Sequence, residues 1–416
     1  MTAIERPALA ELADPANLPD PYPLLAGLRE ASPFAEFNGA FVVVGRHADC
    51  SAVLRHPNAS SQRDKSLVAA ASRRRSRDRP SFLSLDPPDH TRLRRLVSKA
   101  FTPRTVARLE PRIRAITGDL LSGAAAAGQL EVVSQLAYPL PVRIISELLG
   151  VPVEDHPRFA GWSARLAHSL QPDFGLDPAG AKARAEAAAV AGDEFAVYFR
   201  ELIAVRRERP AGDLLSEMIA AEDNGERLTE EELIATCVLL LVAGHETTVG
   251  LIANAILALL RNPDQLALLR EDPGLAAGAV EETLRYDAPV QMTARVARGG
   301  MHIGPVAAPD GALILLLLAA AGRDPQVFDD PDTFHIRRGA TGHLAFAAGP
   351  HFCLGAPLAR LEATIALESF ARRVQLPELN IASLDYKPNL NLRGPDRLVV
   401  EFQRISPAST SSVSAA

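Results

Sequence analysis

Cysteine is scarce in this chain: Cys50, Cys237 and Cys353 are the only three among 416 residues. An odd number of widely separated cysteines does not build a disulfide framework or a local zinc motif, and it fits a reducing cytoplasm. Aromatic residues make up only 5%, and four lysines stand against forty arginines. Positive charge is not in excess either. The net charge is -6, so no global field draws the chain to nucleic acid or to an anionic membrane. The N-terminus, Met-Thr-Ala-Ile-Glu-Arg-Pro, lacks the layout of a secretory signal, so a cytoplasmic protein is expected. The most apolar stretch, Leu233 to Leu260, carries His245, Glu246, two threonines and Asn254 at its middle. It reads as a buried helix and not as a membrane span. Also missing are Gly-x-Gly-x-x-Gly, a Walker-type Gly-Lys-Ser/Thr and Gly-x-Ser-x-Gly, so nucleotide cradles and the serine-hydrolase elbow have no support.

What is present is the balance of a folded globular protein, 47% hydrophobic and 23% charged. Helical periodicity dominates from Asp89 to Arg298, over Val106–Ala127, Val142–Leu149, Ala179–Arg207, Thr229–Leu260, Pro263–Glu271 and Gly274–Tyr286. Asp89 is placed to cap a helix. A β-branched run, Phe41–Val44, starts a small sheet. Gly299–Gly349 reads as a folded-over loop region in which Leu313–Leu318 fits a strand or a helix. A helix over Leu354–Arg373 and a strand over Arg397–Gln403 follow. The run Ser72–Arg79, with its arginines, reads as a solvated loop. No composition break marks a linker, so one domain over 20–405 is expected, with an extension at 1–19 and a disordered tail at 406–416.

Phe328-Asp329-Asp330-Pro331-Asp332 is turn chemistry before it is a magnesium cluster. Phe346-Ala347-Ala348-Gly349-Pro350-His351-Phe352-Cys353-Leu354-Gly355 is more informative. A lone cysteine among apolar residues is more often a buried hydrophobe than a ligand. Here it directly precedes a helix, whose unpaired N–H groups and dipole favour the thiolate that binds metals. Ala243-Gly244-His245-Glu246-Thr247-Thr248 interrupts the apolar helix. Thr247 can bond the carbonyl of Ala243 four residues back and open the helix locally. Glycine inside a helix costs about 1 kcal/mol against alanine, so Gly244 needs a packing or functional reason. Glu282 and Arg285 stand at i, i+3, as do many structural pairs, and His90 and Arg94 stand one turn apart, able to grip one anion together.

Phe-x-x-Gly-x-His-x-Cys-x-Gly resembles the haem-ligating loop of the cytochrome P-450 family, and the other strings match the family's further motifs in the expected order. The resemblance covers about Asp20 to Gln403. It implies a mainly α fold with a small β region, a triangular prism with a long central helix over the haem. It implies haem b (iron protoporphyrin IX) as cofactor, with Cys353 as the iron ligand and Phe346, Gly349 and Gly355 shaping the loop. His90, Arg94, Arg295 and His351 hold the propionates, Ala243 and Gly244 flank the haem, and Thr247 and Glu246 handle dioxygen and protons. Glu282 and Arg285 take a folding role. Phe82, Leu83, Leu240, Val290 and Met292 face the substrate. Ala347 departs from the glycine that bacterial members usually carry, and a positive φ there would strain it.

The implied activity is a monooxygenase of secondary metabolism that inserts one atom of dioxygen into a largely apolar substrate, free or carrier-bound, by hydroxylation or epoxidation. Electrons come from a ferredoxin and its reductase, with Arg92, Arg95 and Lys99 on the docking face. A monomer is expected. The competing readings are a peroxygenase, a nitric-oxide reductase or an oxidative coupling enzyme and, in a different class, a haem-based ligand-binding or sensing protein.

Overall fold

Thr229 starts the longest element of the protein. Its hydroxyl accepts from Glu232 N–H at 3.3 Å, while the Glu232 carboxylate accepts from Thr229 N–H at 2.8 Å. This reciprocal box satisfies two of the donors a helix start leaves unpaired. The helix then runs unbroken from Glu230 to Arg261, about 48 Å at 1.5 Å per residue. Most of it is buried inside the fold, as its apolar composition demands.

The computed structural model describes residues 9–71, 81–171, 177–223, 225–339 and 341–407. The arginine-rich run 72–79 and residues 408–416 of the expected tail lie outside the described residues. Five strands form the largest sheet: β1 (Phe34–Glu36), β2 (Phe41–Val44), β3 (Ala59–Ser60), β4 (Thr293–Ala297) and β5 (Leu313–Leu316). Their order is β1-β2-β5-β4-β3. β5 runs parallel to β2, pairing Leu313 with Phe41, and antiparallel to β4, pairing Ile314 with Arg295. The apolar stretch 313–318 is therefore a strand that turns into the short helix Leu318–Gly322. The expected loop region 299–349 also holds a hairpin, Met301–Ile303 with Val306–Ala308.

Six helices position the site: α1 (Asp89–Ala100), α2 (Pro139–Leu148), α3 (Pro178–Glu208), α4 (Glu230–Arg261), α5 (Ala276–Tyr286) and α6 (Ala356–Arg373). Asp89 opens α1 as its first residue, and its expected cap is absent because Pro88 occupies that position without a side-chain bond. The periodic stretch 106–127 splits into Pro103–Ala107 and Glu110–Ala124, and Pro111 near the start of the second piece suits a first helical turn. α4 packs against α2, α3, α5 and α6. The stretch expected to be an N-terminal extension joins the fold from Leu9 onward: Leu9 and Leu12 are buried with Tyr22, Leu25 and Leu28.

Candidate active site

Cys353 sits between a tight loop and the start of α6. Its N–H donates to Phe346 O at 3.0 Å, and Ala347 N–H donates to Leu344 O at 2.8 Å. The loop forces left-handed backbone at two places. Gly349 has φ +69°, and a Cβ there would lie 2.6 Å from Leu54 O. Ala347 has φ +58°, so the strain anticipated from its side chain is realised. Gly355 has an ordinary φ of -80° and needs no conformational licence. Burial pushes the Cys353 thiol up, against which the N–H groups of Gly355 and Ala356 and the guanidinium groups of Arg94 and Arg360 favour the thiolate.

A cluster of basic side chains gathers beside this loop. α1 supplies His90 and Arg94, β4 supplies Arg295, and the loop supplies His351. The rings of His90 and His351 lie 4.1 Å apart. Arg94 also donates to Phe352 O at 2.5 Å, tying α1 to the residue before Cys353. Burial lowers the proton affinity of all four, and neighbouring positive charges add to it at His90, His351 and Arg295: His351 falls to about 3, Arg295 to about 10, and His90 and Arg94 move in the same direction. Asp86 opposes the shift at His90, His351 and Arg295, but it already accepts from Ser60 Oγ and Ser61 N–H. Both ring nitrogens of His90 are buried without a partner. Buried donors and cations in this state require an anion of more than one charge, and two carboxylates on one ligand meet that requirement. Arg63, which sequence reasoning missed, adds a further positive charge next to Arg295.

On the other side, α4 presents Ala243, Glu246 and Thr247 to a cavity of about 1590 Å³. That volume exceeds the roughly 300–1,000 Å³ of a site for one drug-sized ligand and accommodates a large planar cofactor together with a substrate. Thr247 Oγ1 donates to Ala243 O at 2.8 Å, and Thr248 Oγ1 to Gly244 O at 3.1 Å. Despite these back-bonds the helix stays regular, so the expected local opening is not found. Gly244 has a packing reason: a Cβ there would come 3.3 Å from Ile145 Cγ1 of α2. Leu83, Val290 and Met292 line the cavity. Phe82 and Leu240 do not. Both are buried in the main apolar core, because each lies on the face of its helical turn that packs inward.

Glu246 is held by groups that no local string reveals. Lys387 Nζ lies 3.0 Å from its Oε2, and His245 Nε2 lies 3.6 Å from its Oε1. Burial alone would push the carboxyl up, yet His245 and Lys387 hold it at about 2. Glu282 and Arg285 form a two-pronged pair at 2.8 Å for each contact. Arg285 also donates to the carbonyls of Gly322, Pro331 and Thr333, and Glu282 accepts from His335 N–H and Arg338 Nε. This network fixes the segment leading toward the cysteine loop. A second network was missed: Glu281 accepts from Arg360 at 2.6 Å and contacts His343 at 3.1 Å, and Arg360 lies 4.6 Å over the Phe346 ring. Arg92, Arg95 and Lys99 are not a bare basic stripe. They are engaged by Glu232, Glu226 and the carbonyl of Glu222.

A mainly helical fold with a cysteine loop, a basic cluster beside that loop and a central helix that presents a threonine and a glutamate to a large cavity defines a haem-thiolate oxygenase. The family description "Cytochrome P450" matches residues 180–273 and 274–385. The chain is 41% identical to the cytochrome P-450 monooxygenase PikC of Streptomyces venezuelae, over 92% of each chain. It is 41% identical to the 6-deoxyerythronolide B hydroxylase of Saccharopolyspora erythraea, over 76% of each. The ligand-free crystal structure of Mycobacterium smegmatis CYP164A2 superposes with a TM-score of 0.86 at 46% identity, covering 94% of this chain and 99% of that one. The chain belongs to the cytochrome P-450 family and is a monooxygenase whose cofactor is haem b.

Proposed function

We propose that this monooxygenase hydroxylates or epoxidises a largely apolar organic molecule of secondary metabolism, using dioxygen and electrons delivered singly by a ferredoxin and its reductase. The observation that carries the reading is Thr247 beside Glu246 on the wall of an otherwise mainly apolar cavity. A peroxide-driven enzyme needs no such proton-handling pair, and a sensor needs neither the pair nor so large a substrate space. The similarity to a 6-deoxyerythronolide B hydroxylase supports hydroxylation.

Cys353 would ligate the iron of haem b, and His90, Arg94, Arg295 and His351 would hold its propionates; so bound, the haem would supply the chemistry for using dioxygen. The protein's own side chains do the rest. Leu83, Val290, Met292 and the α4 residues Ile234, Val238 and Val242 exclude water and hold the substrate by apolar contact. Thr247 spends its proton on Ala243 O, so its lone pairs are free to accept a hydrogen bond at the cavity wall. The Glu246 carboxylate, in the same cavity lining, accepts hydrogen bonds from water that delivers protons. Positioned proton transfer of this kind contributes about 10²–10⁴-fold.

The test is reconstitution with a ferredoxin, its reductase and isotopically labelled dioxygen, using substrates that shift the haem spin state. One labelled oxygen atom per product molecule is expected, with turnover falling as salt rises. Product formed only with added peroxide, or oxygen drawn from water, would refute the reading.

A further inference from the structure

The strongest unassigned feature is the ion pair that spans Glu246 of α4 and Lys387, 141 residues away. The two charges are mostly removed from solvent, with side-chain exposures of 13% for Glu246 and 22% for Lys387. Lysine is one of the rarest residues in the chain, four against forty arginines, and a compact ammonium with rotatable donors occupies this place where a planar fork would impose its own geometry. Lys387 also borders a second, small cavity of about 20 Å³, lined in addition by Gln291, Met292 and Leu390. That is room for about one water molecule. Met292 lines both cavities, so Lys387 stands between a water-sized space and the carboxylate that faces the substrate.

Three titratable groups face Glu246. Lys387 approaches from the C-terminal loop and His245 from α4 itself, while Tyr138 stands edge-on to the His245 ring at 5.9 Å. The His245 Nδ1 contacts Leu241 O at 2.7 Å. A carbonyl only accepts, so Nδ1 carries the proton. Tyr138 is pushed up to about 12 by burial and by the Glu246 charge, and stays neutral. Among the described residues Lys387 is the lysine or arginine whose side chain hydrogen-bonds the carboxylate directly.

We propose that Lys387 is a positioning residue for the oxidation, pinning Glu246 as a permanent carboxylate in one orientation so that it orders proton-bearing water beside Thr247 and carries no proton of its own. The proposal rests on the proton role given to Glu246 above. It sharpens that role: the ion pair makes the carboxylate a fixed acceptor. The low value of about 2 at Glu246 agrees. Burial works against that value, which His245 and Lys387 hold down together, so losing Lys387 moves the carboxyl upward.

The experiment compares the haem-loaded parent with Lys387→Met, Lys387→Arg and the double variant Lys387→Met/Glu246→Gln. Infrared difference titration reads the protonated carboxyl directly and needs neither dioxygen nor electron donors. Lys387→Met should show a new carboxyl protonation with its midpoint between about pH 5 and pH 8, at least ~2 units above the parent, in keeping with a buried carboxyl that has lost its cation. The double variant should lack that signal, and Lys387→Arg should stay silent like the parent. In parallel, the share of dioxygen released as peroxide, driven by ferredoxin and reductase without substrate, should follow the same midpoint in Lys387→Met. No new carboxyl signal in Lys387→Met, or an equal one in Lys387→Arg, would overturn the proposal at the ion pair. A clear signal with a peroxide share flat in pH would overturn it through the proton role of Glu246 instead.

Discussion

The rings of His90 and His351 lie 4.1 Å apart and tilted by 41°, one carried by α1 and the other by the loop that ends in Cys353. Two imidazoles held this closely beside Arg94 and Arg295 repel any shared positive charge, and only a ligand with anionic groups relieves that. Replacing His90 or Arg94 by alanine should therefore loosen the haem. Each charge-assisted hydrogen bond lost is worth about 1.5–3 kcal/mol. Transfer of haem to an acceptor apoprotein should accelerate at least about tenfold in the double variant, a 1.4 kcal/mol effect per factor of ten.

Ala347 and Gly349 predict opposite responses in the same loop. Ala347→Gly removes a side chain from φ +58° and should stabilise the haem-loaded protein by about 0.5–1 kcal/mol, the left-handed cost being partly offset by the freer unfolded chain. Gly349→Ala adds a Cβ at φ +69° that would meet Leu54 O at 2.6 Å. It should cost well over about 1 kcal/mol, the backbone term alone reaching that. Thermal unfolding of the two variants, followed at the haem absorption band, reads both signs.

Arg285 is buried, with its donors spent on Glu282 and three carbonyls. Glu282→Gln leaves that guanidinium and Arg338 without a counter-charge. The expected loss is about 3–5 kcal/mol, typical of breaking one side of a buried pair. Denaturant unfolding should show a lower midpoint with an unchanged slope, and Arg285→Lys should not restore it, since an ammonium cannot make the same five contacts.

Glu281 gives a pH-dependent prediction. Burial would raise its carboxyl, but His343 and Arg360 hold it at about 2, below its ordinary 4.5. A depressed folded-state value means stability that is fully present above the unfolded value and is lost as pH falls through the folded one. The stability difference between the parent and Glu281→Gln should be constant above about pH 5 and shrink toward about pH 2. A difference that grew on acidification would contradict the sign.

Local strings carried most of the site because the chemistry sits on short stretches. Cys353 with its loop, Thr247 bonded to Ala243, and Glu282 with Arg285 are all within a helical turn or a tight loop of their partners, and the structure gives Thr247 and the Glu282 pair the expected contacts. Ala347 illustrates the same point: a missing glycine in a known turn pattern was enough to anticipate a strained φ. What stayed hidden depends on tertiary approach. Lys387 reaches Glu246 across 141 residues, and Arg360 reaches Glu281 across 79. The rarity of lysine was the one available hint for the first, and nothing distinguished Glu281 from its neighbour Glu282. Phe82 and Leu240 show another limit. Resemblance points to a segment, but which face of that segment turns to the cavity is settled by packing. Likewise Arg92, Arg95 and Lys99 read as a basic stripe until the acidic residues of 222–232 fold against them.

The direct measurement is the absorption spectrum of the reduced carbon monoxide complex, taken on the parent and on Cys353→His. The parent should show the strongly red-shifted band of a thiolate ligand, and the variant should retain haem but move to the shorter-wavelength band of an imidazole ligand. A parent already showing the imidazole band, or a red-shifted band that survives the substitution, would contradict the assignment of Cys353.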